Sequence, residues 1–136
     1  MQRRLAGQII SRLEAQGLRI VAAKMLQMDK ALAQHHYAIH ESKPFFHDLV
    51  AFITSSPIIA LVFQGKNAVE VIRQTMGETD PAKAKPGTIR ADLALDIQHN
   101  LVHGSDSIET ALQEIQLFFS KDEIFDCGRD AEKRIC

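Results

Sequence analysis

The sequence predicts an α+β or α/β sandwich, and three observations predict it. Apolar residues recur at helical spacing in several separate stretches. Short apolar runs of strand length, at residues 18–28 and 58–63, fall between them. A third such run, residues 101–103, leads straight into the clearest helical stripe of the chain. Helices alternating with a few strands bury their apolar faces on one another, which gives a layered domain. The 136 residues suit a single domain over 1–136 and suffice for a real core. A net charge of −1 gives no electrostatic case for nucleic acid or a membrane surface as the main partner. No apolar run approaches the roughly 18 residues that span a bilayer. Met1-Gln2-Arg3-Arg4 is basic, but no continuous apolar signal region follows it. Cys127 and Cys136 show no metal spacing and no disulfide framework, so a cytoplasmic free-thiol protein is the simpler reading.

In chain order, Leu5, Ile9, Ile10 and Leu13 recur at helical spacing, and Gly17 ends that helix. Residues 18–28 read as a strand centred on β-branched Ile20-Val21. Asp29 caps a short helix running towards His36. His36 and His40 are four apart and could share a metal, but no Cys or Glu completes a ligand set at known spacing. Pro44 breaks the chain. Residues 45–53 then form a helix, apolar at Phe45, Leu49, Phe52 and Ile53, and Ser55-Ser56-Pro57 stops it. The continuous apolar run 58–63 reads as a strand buried on both faces. Gly65-Lys66-Asn67 turns the chain. Ala68, Val69, Val71, Ile72 and Met76 line the next helix, closed by Gly77.

From 78 to 100 the periods are lost, and Pro81, Pro86 and Gly87 interrupt the chain. A loop of about twenty residues in a compact domain is often functional. Residues 101–103 are the last strand. Asp106, with Glu109 three residues on, reads as the cap and capping box of the final helix. Its stripe of Ile108, Ala111, Leu112, Ile115, Phe118 and Phe119 is core packing. The tail from Lys121 is polar and irregular.

Function concentrates in Asn100-Leu101-Val102-His103-Gly104-Ser105-Asp106. His103 would stand at a strand-to-helix corner, beside a helix N-terminus that attracts anions. A lone histidine is more often structural, but this one has neighbours. Asn-x-x-His-Gly-Ser-Asp resembles the active-site signature of the nucleoside diphosphate kinases. Pro86-Gly87-Thr88-Ile89-Arg90, Gly77-Glu78-Thr79-Asp80-Pro81, Tyr37 and Pro44-Phe45-Phe46 resemble that family's segments in the same order. The resemblance implies a ferredoxin-like βαββαβ fold with an antiparallel sheet. It also implies transfer of the γ-phosphate of a nucleoside triphosphate to a diphosphate, with His103 cycling through a phosphohistidine in ping-pong fashion.

The resemblance assigns the other roles. Glu114 orients His103, and Ser105 supports that arrangement. Tyr37 bonds near the histidine and the phosphate, and Asn100 binds the sugar 3′-hydroxyl. Phe45 stacks on the base with Leu49 alongside. Stacking alone discriminates bases poorly, since every base has a π-face. The chain has no Gly-x-x-x-x-Gly-Lys-Ser/Thr loop, so side chains must hold the phosphates. Arg73 and Arg90 offer guanidinium forks that match phosphate oxygens, and Thr79 offers a hydroxyl. Mg²⁺ would be bound mainly through the nucleotide phosphates, with no dedicated carboxylate cage. The partners implied are nucleoside triphosphates, diphosphates and further copies of the chain, as a tetramer or hexamer.

Two readings stay open at this point. One is the active kinase. The other is a catalytically impaired nucleotide-binding or assembly homologue. The intact set of site residues favours the first. The second draws on the start of the chain, where only Gln2-Arg3 matches the end of the family's Lys-Pro-Asp-Gly-Val-Gln-Arg-like segment. The family's first strand and its lysine would precede Met1. A start placed late, at a GUG codon for valine read as methionine, is the expected reason.

Overall fold

The computed structural model of the chain describes residues 5–36, 46–94 and 102–125. Six helices and one strand pair make up this part: α1 (Ala6–Glu14), β1 (Arg19–Leu26), α2 (Lys30–His36), α3 (Phe46–Thr54), β2 (Ile58–Gln64), α4 (Ala68–Met76), α5 (Ile89–Leu93) and α6 (Ile108–Phe118). A 3₁₀ turn, Lys121–Glu123, follows. Among the described residues no helix is long and apolar enough to cross a membrane.

The order α1-β1-α2-α3-β2-α4 carries the antiparallel pair expected of an α+β domain. β1 and β2 pair from Arg19↔Gln64 to Leu26↔Ile58. The register slips between Ile20 and Ala22, so Val21 is the extra residue of a bulge. Its carbonyl accepts instead from the N–H of Phe125 at 2.7 Å. Lys24 of β1 reaches Glu123 at 3.3 Å and lies 5.1 Å from the Phe119 ring centroid. The described part of the tail, 121–125, expected to be irregular, is thus folded back on β1.

Local chemistry sets the element ends. Gly17 leaves α1 at φ +83° and Gly77 leaves α4 at φ +88°, a region that costs glycine little. The Asp29 carboxylate accepts from the N–H of Leu32 at 2.7 Å, the cap expected for α2. Thr54 closes α3 by donating its hydroxyl to the Val50 carbonyl at 2.8 Å, just ahead of Pro57.

Five expectations need correction. β2 is not buried on both faces: Ile58 to Phe63 are all half-buried, because β1 is its only strand partner among the described residues. The segment 78–94 is not a plain loop but contains α5, capped by the Thr88 hydroxyl accepting from Ala91 N–H at 3.3 Å. Asp106 does not cap α6. Ser107 does, accepting from Thr110 N–H at 3.1 Å, because the helix starts one residue later and a hydroxyl there meets the free N–H. Val102–Ser105 has no regular structure, and Leu101 lies outside the described residues. The expected strand ending at His103 does not form there: the Val102 carbonyl goes to a side chain rather than to a neighbouring strand. Finally, α6 does not bury its whole apolar stripe. Ile108 and Leu112 stay 67% and 59% exposed, because the helix is rotated to bring Glu114 and Ile115 inward.

Two apolar clusters hold the layers together. The first is Met28, Ala33 and Val50, with Leu26, Leu32, Ile53, Ile58 and Phe118 against it. The second is Leu13, Met76 and Ile89, with Ile9, Phe63, Ile72, Leu93 and Val102.

Candidate active site

The site is built on the last turn of α4. Gly77 must be glycine twice over: its φ is positive, and a Cβ there would strike the Thr88 side chain. That close approach brings the α5 cap against the end of α4. Arg12 of α1 pins the same loop from outside. It pairs with Asp92 at 2.8 Å and also reaches the Thr88 carbonyl at 3.4 Å. Asp92 in turn accepts from the Gly87 N–H at 3.1 Å. The hydrogen bond from Arg12, and then that from Gly87, holds the Asp92 carboxyl below the usual carboxylate range.

The cap turns Arg90 inward, where it is 8% exposed. Its Nη1 donates to the Gly77 carbonyl at 3.0 Å and its Nη2 to the Val102 carbonyl at 2.9 Å. Its Nε is buried and finds no acceptor among the described residues. Burial, and after it the charge of Arg73, pushes the Arg90 guanidinium below its ordinary value. Two cations that repel, one of them buried with a spare N–H, form a site short of an anion. A cavity of about 1060 Å³ opens here, walled by Arg73, Gly77, Thr79, Lys85, Arg90 and Asp106 among others.

His103 stands one residue past the carbonyl that Arg90 holds. Its side chain is 46% exposed, so incoming substrate can reach the ring. The ring turns Nε2 towards Glu114 Oε1 at 3.6 Å. That is longer than a formed hydrogen bond. The other Glu114 oxygen accepts from the Ser105 hydroxyl at 2.8 Å, which fixes the carboxylate. Nδ1 is therefore on the side of the ring away from Glu114. Gly104 is small for lack of room: a Cβ would lie 2.6 Å from the Met76 sulfur.

Arg73, Thr79 and Arg90 thus share one cavity, and His103, Ser105 and Glu114 form the adjoining group. Tyr37, Phe45 and Asn100 lie outside the described residues, as does His40; Leu49 is on α3 by its backbone. Sequence reasoning missed Met76, Lys85 and the Arg12–Asp92 pair. Of these, only Met76 left a trace, as the last apolar residue before Gly77. Among the described residues no group of three or more His, Cys, Asp or Glu could hold a metal. The cavity lining includes the carboxylates Glu70, Glu78 and Asp106, which form no such group. Such a donor set fits a divalent cation that arrives with its ligands on a nucleotide.

A family model described as nucleoside diphosphate kinase matches residues 1–124. The chain belongs to the nucleoside diphosphate kinase family. It is 54% identical over 129 residues to a nucleoside diphosphate kinase of Dehalococcoides mccartyi, covering 95% of this chain and 91% of that one. A halophilic nucleoside diphosphate kinase from Halobacterium salinarum, solved in complex with CDP, superposes with a TM-score of 0.91 at 50% identity. That match covers 97% of this chain and 88% of the other. The Aquifex aeolicus nucleoside diphosphate kinase superposes with a TM-score of 0.88 at 37% identity, covering 91% and 90%. The α+β fold and the phosphotransferase family expected from the sequence are both upheld. Nucleotides are the substrates of this family, and a divalent cation accompanies them.

Proposed function

We propose that this chain is a nucleoside diphosphate kinase acting through a phosphohistidine at His103. In the first half-reaction, Nδ1 of His103 attacks the γ-phosphorus of a nucleoside triphosphate. A P–N bond forms, the bond from phosphorus to the β-γ bridging oxygen breaks, and the diphosphate leaves with the electron pair. The second half-reaction returns the phosphoryl group to another diphosphate. The observation that carries this reading is the group His103, Glu114 and Ser105. Glu114, pinned by Ser105 at 2.8 Å, faces Nε2 and so favours the tautomer that carries its proton there and its lone pair on Nδ1. Glu114 also stabilises the positive charge that the ring acquires as it takes up phosphorus.

Arg73, Thr79 and Arg90 hold the phosphates in the shared cavity. The buried Nε of Arg90 and its repulsion by Arg73 support that role. Tyr37 and Asn100 bind near the phosphate and the sugar, and Phe45 stacks on the base with Leu49 beside it. When bound, Mg²⁺ would lower the charge of the phosphates, and it would be held mainly through them. The whole chain, 1–136, acts as one domain in the cytoplasm. Exposed Met25, Ile108, Leu112 and Phe125 support a homo-oligomer, as a tetramer or hexamer.

Incubation with ATP labelled in the γ-phosphate tests the reading. An acid-labile, base-stable phosphoprotein that passes its label to any nucleoside diphosphate is expected. Nucleotide binding without labelling would assign the chain to the non-catalytic homologues.

A further inference from the structure

We propose that Arg90 is a positioning residue for His103, acting through the backbone by bridging the carbonyls of Val102 and Gly77. The inference rests on the reading of His103 as the phosphoryl acceptor. Residues 102–105 belong to no strand or helix among the described residues, and side chains fasten the segment at both ends. On the N-terminal side, Arg90 holds the carbonyl of Val102 at 2.9 Å. On the C-terminal side, Gly104 packs so close to Met76 that a Cβ would lie 2.6 Å from its sulfur. Both fastenings lead to one turn, because Arg90 also holds Gly77, the residue after Met76, at 3.0 Å. Arg73 lies on that same turn and gives its carbonyl to the Gly77 N–H at 3.1 Å. The nucleophile and a phosphate-facing cation are therefore tied to a single stretch of helix.

Arginine suits this task and lysine does not. A planar fork spans two acceptors at a fixed angle, whereas one ammonium nitrogen cannot. The bridge uses one N–H from each terminal nitrogen, out of the five that a guanidinium carries. The remaining N–H groups of the two terminal nitrogens are left for a phosphate. Contact with phosphate and positioning of His103 thus draw on different hydrogens of one side chain.

The test is Arg90→Lys, which keeps the charge, assayed with two phosphoryl donors. One is ATP. The other is phosphoramidate, which carries neither a nucleoside nor a second phosphate. If Arg90 sets the position of His103, labelling by both donors should fall by about ten- to a hundredfold, the scale of a misplaced nucleophile. With ATP, the fall should be in kcat more than in KM. The ring ¹⁵N signals of His103 should also shift in the folded variant. Labelling by phosphoramidate at the unaltered rate, with only the KM for ATP raised, would overturn the proposal. So would unmoved ring signals. If the variant does not fold, the unaltered protein decides: Nη protons of Arg90 that resolve as separate, slowly rotating signals support the bridge, and averaged signals overturn it. Should the unaltered protein take no label from either donor, the reading of His103 itself would fall; label with no effect of Arg90→Lys removes only the present proposal.

Discussion

The two apolar clusters are built from similar residues and serve different ends. The first, around Met28, Ala33 and Val50, joins α2 and α3 to the Ile58 end of β2. None of its members lines the cavity. The second, around Leu13, Met76 and Ile89, includes Phe63 at the other end of β2 and lies directly beneath the site. Met76 touches Gly104 of the histidine motif, Val102 precedes His103, and Ile89 precedes Arg90. One core therefore lies away from the cavity, while the other lies beneath it and also sets the position of the reacting group. A close-packed interior transmits small changes of volume to whatever rests on it. The contrast makes packing under a motif glycine part of the catalytic apparatus.

Substitutions can break or sharpen that contrast. The largest effect on phosphotransfer is expected at the surface of the second cluster. His103→Ala should abolish phosphoenzyme formation and leave the thermal transition in place, since the ring is half exposed and supports no core. Normal labelling of this variant would refute the assignment of the nucleophile. Next comes Gly104→Ala, whose methyl would meet the Met76 sulfur at 2.6 Å. Overpacking of this kind costs about 1–3 kcal/mol. The displaced histidine should slow transfer by roughly a hundredfold. A double-mutant cycle with Met76→Ala should show strong coupling; simple additivity in stability and rate would mean the two residues do not press on each other.

In the first cluster the expectation inverts. Met28→Ala, at a residue only 1% exposed, should cost about 2–5 kcal/mol in chemical denaturation. Its kcat should be that of the unaltered protein under folding conditions. A fall in kcat matching that of a Met76 variant would erase the distinction between the clusters. The smallest effect belongs to the surface brace, Asp92→Asn. Arg12 holds the Asp92 carboxyl below its ordinary range. A depressed native pKa adds stability that is present above the unfolded value of about 3.9 and is lost as pH falls through the native one. The stability gap between the variant and the unaltered protein should thus be widest at neutral pH and close in acid. A gap that is the same at pH 7 and pH 3 would mean that Asp92 ionisation contributes nothing.

How much was legible varies by element. α4 could be read to the residue because its apolar spacing is strict and Asn67 and Gly77 bracket it. β1 and the Asp29 cap were legible for the same reason: the signals lie within a few residues of the feature they specify. α5 was hidden, since five residues carry no periodicity, and its cap at Thr88 is indistinguishable in sequence from a turn hydroxyl. The exposure of Ile108 and Leu112 was hidden too. A stripe says which residues are apolar; the packing of Glu114 against the site decided which way the helix faces.

The sequence alone determined the family, through a histidine motif and its companion segments, and the kinds of side chain on offer at the site. These are properties of residue identity and order. Only the tertiary structure decided how Arg90 is used. A guanidinium with both ends on carbonyls twelve and thirteen residues away leaves no mark in local spacing. Nor does the close approach of the Met76 sulfur to Gly104, because the two meet only when α4 and the histidine segment fold together. Contacts at long range depend on the geometry of the whole chain, and burial then gives each of them its strength.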